Sequence, residues 1–289
     1  MTMPNFLIIG AIKSGQHPQI YMSRVKEPRF FALEGESVDF RGPGDCSIAD
    51  ESVTDIKTYR TLFQPVSGER AVGEASALYL YSFKAPQRIY HYVPNAKLIA
   101  VLRNPIERAY SSFLHCVRDG REPLDVFTKA LQEEAKRISE NWAPICHYKS
   151  VGFYYEHLRR YFDLFDKSRI RVYLYEDLNE DPSGTLRDMF RFLEVDESFI
   201  PDTSARFNVS GVPRNKALHS LVTNLNRPAI KRFIPIRVLH ALRDPVRDRI
   251  LTEPPQLSPE VRVRLIGVFR EDILKLQELI ARDLSGWLK

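Results

Sequence analysis

Three short segments of the chain carry side chains suited to anion binding or proton transfer. The first, Gly10-Ala11-Ile12-Lys13-Ser14-Gly15, directly follows a run of apolar residues. Small residues let backbone N–H groups approach an anion, and Lys13 adds positive charge, so the segment is typical of a phosphate-binding loop. It departs from the GxxxxGK[ST] pattern because Lys13 precedes the second glycine. Ordinary turns use the same residue types, so this segment alone leaves both interpretations open.

The other two segments contain Glu74, and Arg103 with Ser111. The planar fork of an arginine matches phosphate oxygens, and a serine hydroxyl early in the following helix adds a donor. A carboxylate at a strand end in a desolvated cleft has a raised pKa, as a general base requires. Each residue also has a structural alternative. Arg103 could pair with a carboxylate, Ser111 could lie on a helix surface, and Glu74 could cap a helix or form a salt bridge.

The elements that position these side chains follow from the hydrophobic pattern. Four short apolar runs each end at a polar residue: 6–10, 70–73, 98–102 and 171–175. Helix-like segments alternate with them, which predicts a parallel sheet built from βα units. Helices are expected at 105–119, 154–165, 182–193 and 258–283, and a surface loop at 40–56. Because ligands bind outside the carboxyl ends of parallel strands, Lys13, Glu74 and Arg103 are expected in one cleft.

Composition limits the classes of protein that the chain can be. It has 289 residues, 44% hydrophobic and 27% charged, which is typical of a folded globular protein. Three cysteines without metal-ligand spacing indicate neither a disulfide framework nor a zinc site. No stretch reaches transmembrane length and no secretory signal is present, so a cytoplasmic location is expected. The net charge is +5, and residues 206–249 alone carry +8. This distribution favours an anionic ligand over long nucleic acid, although a solvated helix face would look the same.

Six segments together resemble the sulfotransferases that use 3′-phosphoadenosine 5′-phosphosulfate. They are Lys26-Glu27-Pro28-Arg29-Phe30-Phe31, Gly73-Glu74-Ala75-Ser76, the segment from Leu102 to Ser111, Tyr175-Glu176-Asp177-Leu178, the segment from Asn208 to Lys216, and the closing helix that begins Ser258-Pro259-Glu260. The resemblance spans nearly the whole chain. The most similar branch contains bacterial, especially cyanobacterial, enzymes related to the sulfotransferase domains of heparan-sulfate enzymes and polyketide synthases.

The resemblance implies roles for individual residues. Lys13, Ser14 and Gly15 match the start of the 5′-phosphosulfate loop, whose lysine bridges the leaving phosphate and the sulfuryl group. Arg103 and Ser111 match the 3′-phosphate site, and Glu74 is expected to be the general base on the acceptor. Three weaker assignments complete the set: Lys26 toward the substrate or sulfuryl group, and Arg214 and Lys216 in a basic loop over the nucleotide. His17 and His115 are competing bases, and Tyr154 and Tyr155 are weaker candidates for stacking on adenine.

One departure from the family pattern lies directly after Gly15, where the chain continues at once into Gln16-His17-Pro18-Gln19-Ile20. About nine residues have no counterpart here, which corresponds to about two and a half turns of helix. The hydroxyl residues of the loop and the helix whose N-terminus would face the 5′-phosphosulfate are thereby lost. A real deletion that impairs catalysis, a natural variant with a rebuilt loop, and an omission from a renumbered chain all explain the gap.

We therefore expect residues 1–289 to form one α/β domain with a three-layer, P-loop-type fold, whose mostly parallel central sheet is flanked by helices. The expected reaction is in-line transfer of a sulfuryl group to a hydroxyl or amine, without a metal, leaving adenosine 3′,5′-bisphosphate. The acceptor could be a small molecule, polyketide, lipid or glycan. A nucleotide-binding protein that has lost transfer is the main alternative, and a P-loop kinase is a weaker one. A nucleic-acid partner and a membrane span are not expected.

Overall fold

The structure is a computed structural model that describes residues 3–9, 17–201, 212–213, 251–252 and 255–289. Within these residues, a five-stranded parallel sheet has the strand order β2-β3-β1-β4-β5. Its strands are β1 (Phe6–Ile8), β2 (Ile20–Met22), β3 (Ala71–Ala75), β4 (Lys97–Leu102) and β5 (Ile170–Leu174). A separate antiparallel pair joins β6 (Val212–Pro213) to β7 (Leu251–Thr252). The parallel order confirms the expected α/β class.

The register of the sheet fixes which residues stand at its carboxyl edge. Leu7 of β1 pairs with Glu74 of β3 on one side and with Leu98 of β4 on the other. Neighbouring strands lie about 4.8 Å apart, so the ends of β3 and β4 are separated by about 10 Å across β1. Strand β1, whose last residue is Ile8, ends between them.

Helices connect the strands and cover both faces of the sheet. They are α1 (Phe30–Leu33), α2 (Cys46–Glu51), α3 (Ile56–Thr61), α4 (Leu78–Tyr81), α5 (Ala85–Tyr92), α6 (Pro105–Arg118), α7 (Phe127–Gln132), α8 (Glu134–Ser139), α9 (Tyr154–Phe162), α10 (Tyr175–Glu180), α11 (Pro182–Leu193) and α12 (Pro259–Ile280). Short 3-10 turns lie at Pro144–Cys146, Ser150–Gly152, Lys167–Arg169 and Ser285–Leu288.

Side chains alternate between the two faces of each strand and enter two separate hydrophobic clusters. On one face, Phe6 and Ile8 of β1 pack with Met189 and Phe190 of α11. On the other face, Leu7 and its neighbours enter a larger cluster with α1, α3, α5, α6, α9 and α12. Glu74 shares this second face, because Val72, two residues earlier on β3, belongs to the same cluster. The result is the predicted arrangement of helix layers on both sides of the sheet.

Helix α12 ties several helices near the carboxyl edge together. Its Asp272 carboxylate accepts a hydrogen bond from the backbone N–H of Tyr155 at 3.1 Å, in the first turn of α9. Its Arg262 forms an ion pair with Glu107 in the first turn of α6. Just beyond α12, Arg282 pairs with Asp177 of α10 at 2.7 Å. The side chains of α12 therefore help to fix the N-terminal turns of α6 and α9 and the position of α10.

The four predicted strands and four predicted helices are present, with ends that differ by at most three residues. Strand β2 and seven short helices were not predicted: α1, α3, α4, α5, α7, α8 and α10. Helix α2 lies inside the segment 40–56, which was expected to be a surface loop. The fold around α2 depends on Asp45, whose carboxylate accepts N–H bonds from Gly42 and Ala143 and pairs with Arg121. These long-range contacts give the segment an order that its local sequence does not indicate.

Candidate functional site

The corner where β2 and β3 end contains two carboxylates with different surroundings. Glu74 is 1% exposed. Its Oε1 accepts hydrogen bonds from the hydroxyls of Tyr79 at 2.6 Å and Tyr59 at 3.1 Å, and its Oε2 accepts one from Ser76 at 2.9 Å. Burial raises the pKa of Glu74 to about 7, against the lowering effect of these three hydroxyls. Glu74 is thus held in place by other side chains on both of its oxygens.

Glu27 is the second carboxylate of this corner and is only partly buried. Its Oε2 accepts a hydrogen bond from the backbone N–H of Ala77 at 3.0 Å, which is the one bond that the described residues give to this carboxylate. Burial raises the pKa of Glu27, while the positive charges of Arg29 and Lys26 and the Ala77 bond lower it. Glu27 combines a raised pKa with an oxygen that has no partner in the described part of the chain, as a proton acceptor needs.

The backbone around Glu27 is strained. Glu27 has φ 53° and Arg29 has φ 57°, so both residues flanking Pro28 lie in the left-handed region that favours glycine. Such conformations cost of order 1–3 kcal/mol each, and they cluster at functional sites. The Arg29 N–H donates to the Ser76 hydroxyl at 3.1 Å, which links this turn to the Glu74 network. Glu27 was not predicted as a site residue from the sequence; its place between Lys26 and Pro28 was the available signal.

Arg103 stands at the carboxyl end of β4, beside the first turn of α6. Its guanidinium lies 5.1 Å from the centre of the Tyr175 ring, a cation–π contact that holds the side chain over the end of β5. Among the described residues, the carboxylate that pairs with Arg103 is Glu107 at 4.0 Å, and Glu107 is also paired with Arg262. Arg103 therefore has a weak ion pair, and its charge remains available for a bound anion.

Ser111 lies on the same side of α6 as Glu107, because residues four apart face the same way on a helix. Its side chain is partly exposed, and among the described residues its hydroxyl has no hydrogen-bond partner. At the neighbouring corner, Nη1 of Arg29 is buried and also lacks a partner in the described part of the chain. These donors, together with Arg103, fit a ligand that carries phosphate or sulfate groups.

Comparison with known proteins identifies the family. The model of the sulfotransferase domain matches residues 63–220. A solved sulfotransferase from Alicyclobacillus acidocaldarius is 34% identical, with a TM-score of 0.78 over 100% of both chains. The chain belongs to the sulfotransferase family. This membership confirms the resemblance found in the sequence and removes the P-loop kinase alternative.

Curated relatives of this sulfotransferase include longer proteins. The bifunctional heparan sulfate N-deacetylase/N-sulfotransferase 4 of Mus musculus is 28% identical over 213 residues, which cover 67% of this chain and 22% of that protein. The mouse heparan sulfate glucosamine 3-O-sulfotransferase 6 is 25% identical over 207 residues, covering 72% of this chain and 56% of that protein. The chain therefore spans about a fifth of the first of these relatives and about half of the second.

The other predicted site residues of the sulfotransferase fall into two groups. Lys26 is described and lies exposed beside Glu27. Five lie outside the described residues: Lys13, Ser14, Gly15, Arg214 and Lys216. The same holds for the basic stretch 206–249 apart from Val212–Pro213, which forms β6.

The competing candidates have structural roles in the described part of the chain. His17 is buried between Phe190 and Phe199, with Nε2 2.8 Å from the Asp196 carbonyl. His115 pairs with Asp119 at 2.7 Å on an exposed part of α6. Tyr154 is buried against Trp287, which leaves no face for adenine.

Neither a cluster of metal ligands nor a membrane-spanning helix occurs in the described part of the chain. The described residues contain no group of three or more His, Cys, Asp or Glu side chains arranged to hold a metal ion. Within the same residues, every helix is too short or too polar to cross a bilayer.

Proposed function

We propose that this sulfotransferase transfers a sulfuryl group from 3′-phosphoadenosine 5′-phosphosulfate to a hydroxyl or amine of an acceptor. One observation carries the proposal: Arg103 and Ser111, donors without strong partners, stand beside a corner that contains a carboxylate with a raised pKa. In the reaction, a bond forms between the acceptor oxygen or nitrogen and sulfur. The bond from sulfur to the 5′-phosphate oxygen breaks, and adenosine 3′,5′-bisphosphate leaves.

The nucleotide end of the site is assigned to α6 and the loops around it. Arg103 offers a planar fork to the 3′-phosphate, and Ser111 adds a hydroxyl donor on the same side of the helix. Arg262 supports this role indirectly, because its ion pair with Glu107 competes for the carboxylate that would otherwise hold Arg103. By resemblance, Lys13, Ser14 and Gly15 serve the 5′-phosphosulfate, with Lys13 neutralising the leaving phosphate, and Arg214 and Lys216 close over the nucleotide.

Glu27 is proposed as the group that accepts the proton of the acceptor. Its partly exposed carboxylate has an oxygen without a partner in the described residues, and burial raises its pKa toward the working range of a base. Exposed Lys26 beside it is suited to contact the substrate or the sulfuryl group, as the resemblance implies.

Glu74, the base that the sequence analysis proposed, fits a positioning role better. An acceptor could reach its carboxylate only by displacing the hydroxyls of Tyr59, Ser76 or Tyr79. Ser76 links Glu74 to the backbone of Arg29, so the buried carboxylate fixes the strained turn that presents Glu27. The two assignments separate experimentally, because only a residue that accepts the proton controls the acid limb of the pH–rate profile.

Calorimetric titration with adenosine 3′,5′-bisphosphate tests the nucleotide site, with ATP and AMP as comparison ligands. We expect selective binding that weakens about 10- to 100-fold in Arg103→Ala, as for loss of a charged hydrogen bond. Arg118→Ala is the matched control, because Arg118 lies at the opposite end of α6 and pairs with Asp119. Equal binding of AMP and the bisphosphate, or no effect of Arg103→Ala, would contradict the assignment.

Nucleotide binding without transfer is a second candidate function. The observation that favours it is the short connection from β1 to β2, which runs only from Ile9 to Gln19 and must cross β3. Parallel crossovers normally need a dozen or more residues, usually including a helix. Mass-spectrometric detection of sulfated acceptor separates the candidates. Tight bisphosphate binding with no sulfated product from any acceptor would favour the binding protein.

A further inference from the structure

An apolar cleft begins at Leu78, the residue after Ala77. It has a volume of about 600 Å³, and its lining includes Leu78 and Tyr81 of α4, Phe83, Leu33 of α1 and Phe40. The backbone N–H of Ala77 donates to the Glu27 carboxylate at 3.0 Å, so the cleft begins one residue from the group that holds the proposed proton acceptor. None of the residues that line the cleft is among those proposed above to bind the nucleotide.

One positive and one negative side chain face this cleft, Arg160 and the exposed Glu156. Arg160 of α9 lines it, is only partly buried, and forms no ion pair with a carboxylate in the described part of the chain. The Nη2 of Arg160 is 2.7 Å from Nδ1 of His157 and 3.4 Å from the Tyr81 carbonyl oxygen. The guanidinium also lies 5.5 Å from the centre of the Phe83 ring. Its Nε donates to the Glu156 backbone carbonyl at 3.2 Å, whereas the Glu156 carboxylate acts on Arg160 electrostatically but forms no ion pair with it in the described part of the chain. Arg160 is therefore held in one position with only part of its charge compensated.

His157 can hold Arg160 only in its neutral form. The Nε2 of His157 is 2.9 Å from the Ser150 carbonyl oxygen, so Nε2 carries the proton and donates it there. Nδ1 then has a free electron pair and accepts the Arg160 hydrogen bond. Burial lowers the pKa of His157 to about 4, which keeps the ring neutral near pH 7. The histidine thus orients the guanidinium without adding a competing charge of either sign.

The remaining cleft surface suits a flat apolar body. Phe83 is 78% exposed, which is unusual for a phenylalanine and leaves one ring face open to a ligand. Leu33, Leu78 and Phe40 supply further apolar surface. Ligand sites of this type combine apolar walls with a few oriented polar groups that set orientation.

We infer that this cleft binds an acceptor with an aromatic or similarly flat apolar body, a hydroxyl at one end and a carboxylate or sulfate at the other. The anion pairs with Arg160, the body packs on Phe83, and the hydroxyl faces Glu27. Ala77, whose N–H binds Glu27, and Tyr81, whose carbonyl oxygen contacts Arg160, are four positions apart along the chain, a helical rise of about 6 Å that one ring with a short acidic arm spans. This inference rests on the proposed function, because it names the acceptor class of the same site.

The test compares two acceptors of matched shape, 3-(4-hydroxyphenyl)propionate and neutral 4-propylphenol. We expect kcat/KM to favour the anionic acceptor at least about tenfold, the value of one charged hydrogen bond, and Arg160→Gln to abolish the preference. Arg159→Gln removes the same charge from the neighbouring position, which pairs with Asp163 and does not line the cleft, and should keep the preference. An unchanged preference in Arg160→Gln would overturn the inference, as would equal use of both acceptors by the unmodified chain.

A binding measurement separates failure of this inference from failure of the proposed function. Titration with 3-phenylpropionate, which has no hydroxyl to sulfate, should show binding that Arg160→Gln weakens about tenfold and Arg160→Lys weakens less. Binding of this carboxylate together with no sulfated product would support the cleft and contradict the proposed reaction. Sulfation of 4-propylphenol without any carboxylate binding would support the reaction and overturn the cleft assignment. Unchanged melting temperatures establish that the variants fold.

Discussion

The two corners of the carboxyl edge differ in how far their polar groups are already satisfied. At the β2–β3 corner, Glu74 uses both oxygens within the protein. At the β4–α6 corner, Arg103 has only a 4.0 Å ion pair and Ser111 has no described partner. The first corner is an internal support, whereas the second leaves donors for a ligand. Glu27 lies at the first corner, but like the donors of the second corner it has an oxygen without a partner in the described residues. This free oxygen is why Glu27 is the proposed base.

The largest expected effect is the loss of turnover when Glu27, the residue on which this comparison depends, is replaced. Glu27→Gln keeps the size and the Ala77 contact but removes the proton acceptor, so turnover should fall at least about 100-fold. Because the folded pKa of Glu27 is raised, activity of the unmodified chain should rise with pH through that value, and the variant should lose this limb. A pH–rate profile measures both effects. A Glu27→Gln enzyme with full activity, or one that keeps the acid limb, would return the assignment to Glu74.

The second prediction concerns Glu74 and the pH dependence of stability. Its folded pKa of about 7 lies above the ordinary value of 4.5, so the folded state takes up the proton more readily. The stabilisation is complete below about pH 4.5 and is lost as pH rises through 7, a total change of about 3 kcal/mol. Urea unfolding between pH 5 and 8 should show this loss, and Glu74→Gln should lack it.

Asp272 provides a control for that experiment. Burial raises its pKa to about 6, so it contributes pH dependence of the same sign in both proteins. The difference between Glu74→Gln and the unmodified chain therefore isolates Glu74. Parallel stability curves for the two proteins would show that Glu74 is ionised throughout this range.

A third prediction separates the hydroxyl donors to Glu74. Tyr79→Phe removes the 2.6 Å bond to a buried carboxylate and should lower the free energy of unfolding by about 1–3 kcal/mol. Tyr59→Phe removes the 3.1 Å bond and should cost less, because its ring packing on Phe30 remains. Chemical denaturation at pH 8, where Glu74 is ionised, gives the comparison. A larger cost for Tyr59→Phe would reverse this ranking of the two donors.

The smallest expected effect is at Ser111. Ser111→Ala removes a single neutral donor and should weaken binding of adenosine 3′,5′-bisphosphate about 2- to 10-fold. Stability should stay within about 0.5 kcal/mol, because the hydroxyl has no described partner to lose. Ser112→Ala is the matched control, since the Ser112 hydroxyl donates to the Ile145 carbonyl at 2.8 Å instead. A stability loss at Ser111 with unchanged nucleotide affinity would make this residue structural.

Much of the fold could be predicted from the sequence because its main elements have strong local signals. Helix α11 begins with Asp181 and Pro182, a cap and a favoured first residue, and its predicted bounds 182–193 are the observed ones. Strand β2 has only three residues, too few to show the alternation of buried and exposed side chains that marks a strand. Its place in the sheet depends on its backbone pairing with β3. Short elements are specified mainly by their neighbours, which the local sequence does not show.

The candidate site was predictable to a different extent at each residue. The positions of Arg103 and Ser111 could be predicted from local patterns alone. The apolar run places Arg103 after a buried strand, and the helical repeat places Ser111 on the following helix. The contrast between Glu27 and Glu74 could not be predicted, because it depends on which hydroxyls surround each carboxylate. Tyr59 lies 15 residues before Glu74, on a separate helix, and nothing in the local sequence links them. Arg160 was missed for the same reason, since its proposed role depends on its place in the cleft and on its having no ion pair with a carboxylate among the described residues.

The ties made by α12 have a consequence for the order in which the chain is synthesised. Glu107 and Arg262 are 155 residues apart, so the ribosome completes α6 long before its partner exists. Tyr155 likewise waits for Asp272, which follows 117 residues later. Fragments that stop before Pro259 would lack these ties at α6, α9 and α10, leaving the first turns of α6 and α9 without their partners. These ties at the carboxyl edge are therefore completed late in biosynthesis, only after Arg262, Asp272 and Arg282 have been added.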